Sequence, residues 1–143
     1  IAEIFERNDQ WLHDPAAEAL SLNKSAQDYL KHIIQQPDSI FVGLILMGSQ
    51  GETLAAQPLP SNFWQGNKSR FINAMADEDV YIDQLDWDND SKSISAQISV
   101  PIQNADGEMF GVLSGRIEIS MTQLKKLGEQ PSASDPAVPV ALH

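Results

Sequence analysis

Ile40-Phe41-Val42-Gly43-Leu44-Ile45-Leu46-Met47 is apolar at successive positions, and the fold turns on how this run is read. An unalternating apolar run bounded by turn residues predicts a strand covered on both faces, hence near the centre of a sheet. Gly48-Ser49-Gln50-Gly51 then reads as a turn and Glu52 to Gln57 as the returning strand. Three further strands are expected over Val80 to Leu85, Ser93 to Ile102 and Glu108 to Ile119. The stretches between them, Asp88-Asn89-Asp90-Ser91 and Asn104-Ala105-Asp106-Gly107, have hairpin-turn chemistry. The Ser93 to Ile102 segment alternates: Ile94, Ala96, Ile98, Val100 and Ile102 share one face, and Ser93, Ser95, Gln97 and Ser99 share the other. Adjacent hairpin strands make the sheet antiparallel, with five strands in all.

The helices fall around this sheet. Ile1, Ile4, Phe5, Asn8, Trp11 and Leu12 form one helical stripe, interrupted at Asp14-Pro15, after which a helical stretch resumes to Leu20. Ser25 and Asp28 have capping-box spacing, ahead of a helix whose inner face is Ala26, Tyr29, Leu30, Ile33 and Ile34 and which stops at Pro37. A loop with Pro58 and Pro60 leads to Phe63-Trp64-Gln65-Gly66 and a short helix, Lys68 to Asp77, with Phe71, Ala74 and Met75 inward. A last helix, Met121 to Leu127, ends at Gly128. The expected organisation is one α+β domain over 1–128 and a flexible tail or linker, rich in Pro, Ala and Ser, over 129–143.

Composition narrows the function classes. A chain of 143 residues, 42% hydrophobic, can build a core without a disulfide or a metal. Its 20 acidic residues against 9 basic ones give a net charge of −11, a field that opposes nucleic acid and anionic bilayers. With no cysteine there is no thiol catalysis, thiolate metal site or disulfide. No apolar run reaches the length of a membrane span. The chain starts at Ile1 without a methionine, as a cleaved signal or a trimmed anchor would leave it.

Particular words within this element order carry a resemblance. Asn62-Phe63-Trp64-Gln65-Gly66-Asn67-Lys68 is similar to the Asp-Tyr-Trp-Gln-Gly-Asp-Glu word of a single-Cache subgroup of bacterial periplasmic proteins. Gln97-Ile98-Ser99-Val100-Pro101-Ile102, Gly107 and Gly111-Val112-Leu113 resemble the strand-turn-strand ending of that subgroup, and Asn8-Asp9-Gln10-Trp11 its N-terminal helix. The chain thus resembles Cache domains (PDC sensors), the extracytoplasmic relatives of PAS domains, over Ile1 to Leu127.

The resemblance implies a PAS-like five-stranded antiparallel sheet, with N-terminal helices on one face and a pocket-covering loop and helix on the other. It implies a sensing domain in the periplasm or outside the cell that binds a small molecule and performs no catalysis. A homodimer through the N-terminal helix, and a membrane anchor or effector domain outside this chain, belong to the same expectation. The positions matching the family's amino-acid-binding residues are Phe63, Lys68, the Arg70-Phe71 pair and Arg116. The aspartate that would hold an ammonium group is missing, and the subgroup's Asp-Glu pair is Asn67-Lys68. These departures point to an anionic ligand such as an organic acid. The candidate ligand-binding set is Phe63, Trp64, Lys68, Arg70, Phe71, Tyr81, Asp83, Gln97, Ser99 and Arg116.

Each candidate has a plainer alternative. Phe63-Trp64 either walls a pocket or packs a loop over the sheet edge. Arg116 lies within an apolar strand, where a buried guanidinium needs a partner. That partner is a ligand carboxylate or phosphate, or else Glu118, Asp83 or Asp86. Asp86, Asp88 and Asp90 alternate as in a calcium loop, but Ser91 and Gln97 stand where an EF-hand needs Gly and Glu, so a solvated turn is expected. His13, His32 and His143 form no metal-ligand pair, and no serine lies in a nucleophile-elbow word. No phosphate-cradling glycine loop is present, and no cofactor is expected.

Overall fold

The computed structural model describes residues 1–129. Five strands, β1 (Phe41–Gly48), β2 (Thr53–Gln57), β3 (Tyr81–Asp88), β4 (Ser93–Gln103) and β5 (Met109–Ser120), form one antiparallel sheet in the order β2-β1-β5-β4-β3. The apolar run therefore lies one strand in from the edge, paired on both sides, and β5 occupies the middle. The helices are α1 (Ala2–His13), α2 (Pro15–Glu18), α3 (Lys24–Ile34), α4 (Ser69–Asp77) and α5 (Met121–Glu129), with a 3-10 turn at Ala19–Ser21. Of the expected tail over 129–143, Glu129 is the last residue of α5 and the rest lies outside the described residues.

The two-faced apolarity of β1 is used on both sides. Leu44 and Leu46 point under α3, where they meet Leu30, Ile33 and Ile34, while Ile45 and Met47 point under α4, against Phe71, Ala74 and Val112. Two sequence readings need correction on the α3 side. The cap of α3 is Asn23, whose Oδ1 accepts from Ala26 N at 2.9 Å, rather than Ser25. Asparagine two residues earlier accepts the same kind of capping bond and starts the helix two residues sooner. Tyr29, placed on the inner face by spacing alone, is 64% exposed, because α3 reaches only the β1–β2 half of the sheet.

That limited reach leaves the β3–β4 half of the same face open, with Ile82, Trp87 and Val100 exposed. The alternation of β4 is thus real, and its polar face is the one turned under α4. Ser93, Gln97 and Ser99 are buried beneath the α4 side, while the apolar positions Ile94, Ile98 and Val100 face the partly uncovered side.

The N-terminal stripe packs on a loop rather than across the sheet. Trp11 is fully buried against Phe63 and Leu22, and its indole Nε1 donates to the Pro60 carbonyl at 2.9 Å. Phe5 meets the Trp64 ring edge-on at 4.9 Å between centroids, while Leu12 stays exposed.

Candidate ligand-binding site

The register aligns two rows of side chains on the α4 side of the sheet. One row runs Ala56, Ile45, Ser114, Ser99, Tyr81, and the next runs Gly43, Arg116, Gln97, Asp83. Polar residues in the middle of a covered sheet must find partners. Ser99 and Ser114 share a hydroxyl–hydroxyl hydrogen bond of 2.8 Å, and Gln97 Nε2 donates to Ser114 Oγ at 2.7 Å.

Beside this network a cavity of about 250 Å³ opens between the β1–β5 strands, the loop after β2 and the start of α4. Val42, Leu44, Ile45, Pro58 and Pro60 give it an apolar wall, and Gln97, Ser114, Arg70 and Arg116 supply its polar groups. The Cβ that Gly43 lacks would come within ordinary contact of Pro58 and Arg116, so glycine there keeps the floor open. None of the lining residues is an aspartate or glutamate. A second cavity of about 400 Å³ continues past Gln97 and Arg116 toward Gln84, Leu85, Asp86 and Ser95. It opens at the break in β3–β4 pairing between Asp83 and Asp86, where Gln84 adopts φ +53°.

The two guanidiniums differ in setting. Arg70, on the first turn of α4, is half-buried, and desolvation holds its pKa below the usual arginine value. Its Nη2 donates to Gln65 Oε1, and its Nε is buried without a hydrogen-bond partner among the described residues. Arg116 is exposed, contrary to the burial expected of it, because the cavity mouth opens beside it. Among the described residues neither arginine forms an ion pair. Asp83, one of the expected partners of Arg116, instead accepts from Ser69 Oγ at 2.7 Å.

The structure brings together Arg70, Gln97 and Arg116 of the expected set. Ser99 is one hydrogen bond behind the wall, and Tyr81 and Phe71 pack in the core beneath α4. Lys68 precedes α4 as its N-cap residue and does not line the cavity. Phe63 and Trp64 lie elsewhere, as parts of a clasp between the β1–β2 hairpin and α1. Phe63 O accepts from Thr53 N at 3.0 Å and from Thr53 Oγ1 at 2.6 Å. Trp64 Nε1 donates to Gln50 O at 2.8 Å, and Trp64 N donates to Asn8 Oδ1 at 3.0 Å. Arg7 sits 4.2 Å over the Phe63 ring. Ser114, Gly43, Pro58 and Gln65 were not among the sequence candidates. Ser114 becomes visible only once the register sets it opposite Ser99, and Gln65 only once Arg70 is seen to need an acceptor.

This architecture, a PAS-like five-stranded antiparallel sheet with a cavity under its covering helix and loop, is shared with solved structures. The likeness to solved structures is one of fold. The ligand-binding domain of the Pseudomonas aeruginosa PAO1 amino acid chemoreceptor PctC, solved with GABA, matches at 16% identity with a TM-score of 0.50, over 90% of this chain and 59% of that one. The extracellular domain of the putative histidine kinase rpHK1S-Z16 matches at 16% identity with a TM-score of 0.53, over 81% of this chain and 47% of that one. This chain therefore spans about half the length of these sensor structures. No protein-family model matches the chain, and no curated protein matches it in sequence.

Proposed function

We propose that this chain is an extracytoplasmic sensing domain, periplasmic or extracellular, that binds a small anion such as an organic acid and passes the signal on by conformational change. The observation that carries the reading is the 250 Å³ cavity, which among the described residues holds two guanidiniums without an ion pair and no carboxylate. In a chain of net charge −11 this is a local reversal of field. A carboxylate there gains charge-assisted hydrogen bonds from Arg70 and Arg116, and its short apolar body meets Val42, Ile45 and Pro58. The chemoreceptor and kinase domains that share the fold support a ligand-sensing role for it. The reading assigns no catalytic residue and no cofactor. It places any membrane anchor or effector domain outside this chain.

A thermal-shift screen of organic acids, amino acids and polyamines tests the proposal. An acid at about 100 times its Kd stabilises by roughly 2.7 kcal/mol, a rise in Tm on the order of 8 °C for a domain of this size. Response to cationic compounds alone, or an anion response unchanged in the Arg70→Ala/Arg116→Ala double variant, defeats it.

A second reading, a protein-interaction or dimerisation domain, draws on the open β3–β4 face with exposed Ile82, Trp87 and Val100 and on the exposed Ile1 and Leu12 of the N-terminal segment. A homodimer through α1 is compatible with either reading. Sedimentation at high protein concentration decides whether such a dimer forms.

A further inference from the structure

Gln65 is 1% exposed, and every polar group it carries is engaged. Its backbone N donates to Gly51 O at 2.7 Å, and its carbonyl accepts from Lys68 N at 3.0 Å. Its side-chain Nε2 donates to the Asn62 carbonyl at 2.7 Å, which orients the amide and leaves Oε1 facing Arg70 Nη2. With its backbone bonded on both sides and its Nε2 tied to Asn62 O, the side chain is a rigid acceptor, whereas a half-buried arginine without one samples several rotamers. The acceptor is also neutral. A carboxylate in its place would hold Arg70 equally well but would cancel the charge an anion needs. Arg70 Nε, buried and without a partner among the described residues, is the donor left over by this arrangement.

We infer that Gln65 is a positioning residue, fixing the Arg70 guanidinium at the cavity wall for an anionic oxygen of the ligand. This rests on the anion-binding reading above, and the test separates the two. In 15N-labelled protein without added ligand, the Arg70 Nε–H signal, assigned by its loss in Arg70→Lys, is compared with that of two variants. Gln65→Met keeps the volume and removes the acceptor, so Nε–H exchange speeds up at least about tenfold, the scale of one hydrogen bond to a charged group. Gln65→Glu keeps an acceptor, so the signal stays ordered. Titration with propionate and succinate then shows weakening of about tenfold in Gln65→Met and at least as much in Gln65→Glu, where the new carboxylate competes with the acid.

An Arg70 Nε–H signal identical in wild type and folded Gln65→Met overturns the inference, as does loss of order in Gln65→Glu. If Gln65→Met does not fold, Gln65→Asn, whose amide stops one methylene short, replaces it with the same expectation and the same overturning result. Failure of the wild type to bind either acid defeats the anion reading, while the ligand-free signal still decides the role of Gln65.

Discussion

Ser99 and Ser114 stand directly opposite each other on β4 and β5, both fully buried, with their hydroxyls 2.8 Å apart. An apolar pair would be the ordinary choice at the centre of a sheet under a helix. The serines instead form a small polar floor, and Gln97 extends it by donating to Ser114 Oγ at 2.7 Å, so that its amide stays at the cavity wall beside Arg116. Ser114 is the hub of this floor, because both other members bond to it.

Ser114→Ala is therefore expected to cost more than Ser99→Ala. It strands the Gln97 amide and the Ser99 hydroxyl together, at about 1–3 kcal/mol for a buried donor left unmade. Ser99→Ala leaves the Gln97–Ser114 bond in place. Urea denaturation of both single variants and the double variant checks this. The double variant should fall short of the sum, since the two hydroxyls are bonded to each other and the first substitution already removes that bond.

The same network explains what the sequence could and could not disclose. The unbroken apolar run of β1, the hairpin turns and the alternation of β4 were legible, because strand period and turn chemistry are local. The direction of that alternation was not. Gln97 faces the cavity and Ser99 lies buried behind its wall, so the polar stripe turns inward, and only the placement of α4 decides that. The cavity was half legible. Arg70, Gln97 and Arg116 stood out as scarce basic or polar residues on the right segments. Phe63 and Trp64 drew attention as aromatics, yet their bonds to Thr53, Gln50 and Asn8 place them in a clasp rather than in the cavity wall. Ser114 and Gly43 needed a cross-strand register that no single strand encodes.

Arg70 and Arg116 should separate by salt dependence. Arg116 is exposed, so its contribution to anion binding is screened as ionic strength rises, with the Debye length shrinking from about 10 Å at 0.1 M to about 3 Å at 1 M. Arg70 is half-buried and is screened less. Propionate titrations at low and high potassium chloride are expected to show a shallower salt slope in Arg116→Ala than in Arg70→Ala. Equal slopes would contradict the difference in setting.

The β3–β4 turn carries a predictable pH response. Asp88 accepts from Ser91 Oγ at 2.8 Å and from Asp90 N at 3.0 Å, and these bonds, the Ser91 hydroxyl first, hold its pKa below the usual aspartate value. A folded-state pKa below the unfolded one means the turn's contribution is present above the ordinary carboxylate range. It is lost as pH falls through the lowered value. Carboxyl NMR titration should place the Asp88 midpoint below that of a free aspartate. Ser91→Ala should move it back up, with no effect on the cavity.

Gly51 tests the clasp that supports the cavity. It has φ +86°, and a Cβ there would lie 2.4 Å from Gly66 Cα and 2.5 Å from Gly66 N, backbone atoms that cannot swing aside. Gly107 is the natural control: it has φ +82°, but a Cβ there meets nothing within 4 Å. Gly107→Ala should thus show backbone strain alone, about 1 kcal/mol. Gly51→Ala adds overpacking of about 1–3 kcal/mol and should lower Tm further, by about 3–4 °C for each additional kcal/mol. The consequence is also functional, because the Gly51 carbonyl accepts from Gln65 N at 2.7 Å, and displacing it shifts the residue that meets Arg70. Gly51→Ala is therefore expected to weaken the thermal response to organic acids, while Gly107→Ala leaves it intact. A Gly51→Ala protein as stable and as responsive as the Gly107→Ala control would show that the clasp neither strains at this position nor supports the cavity.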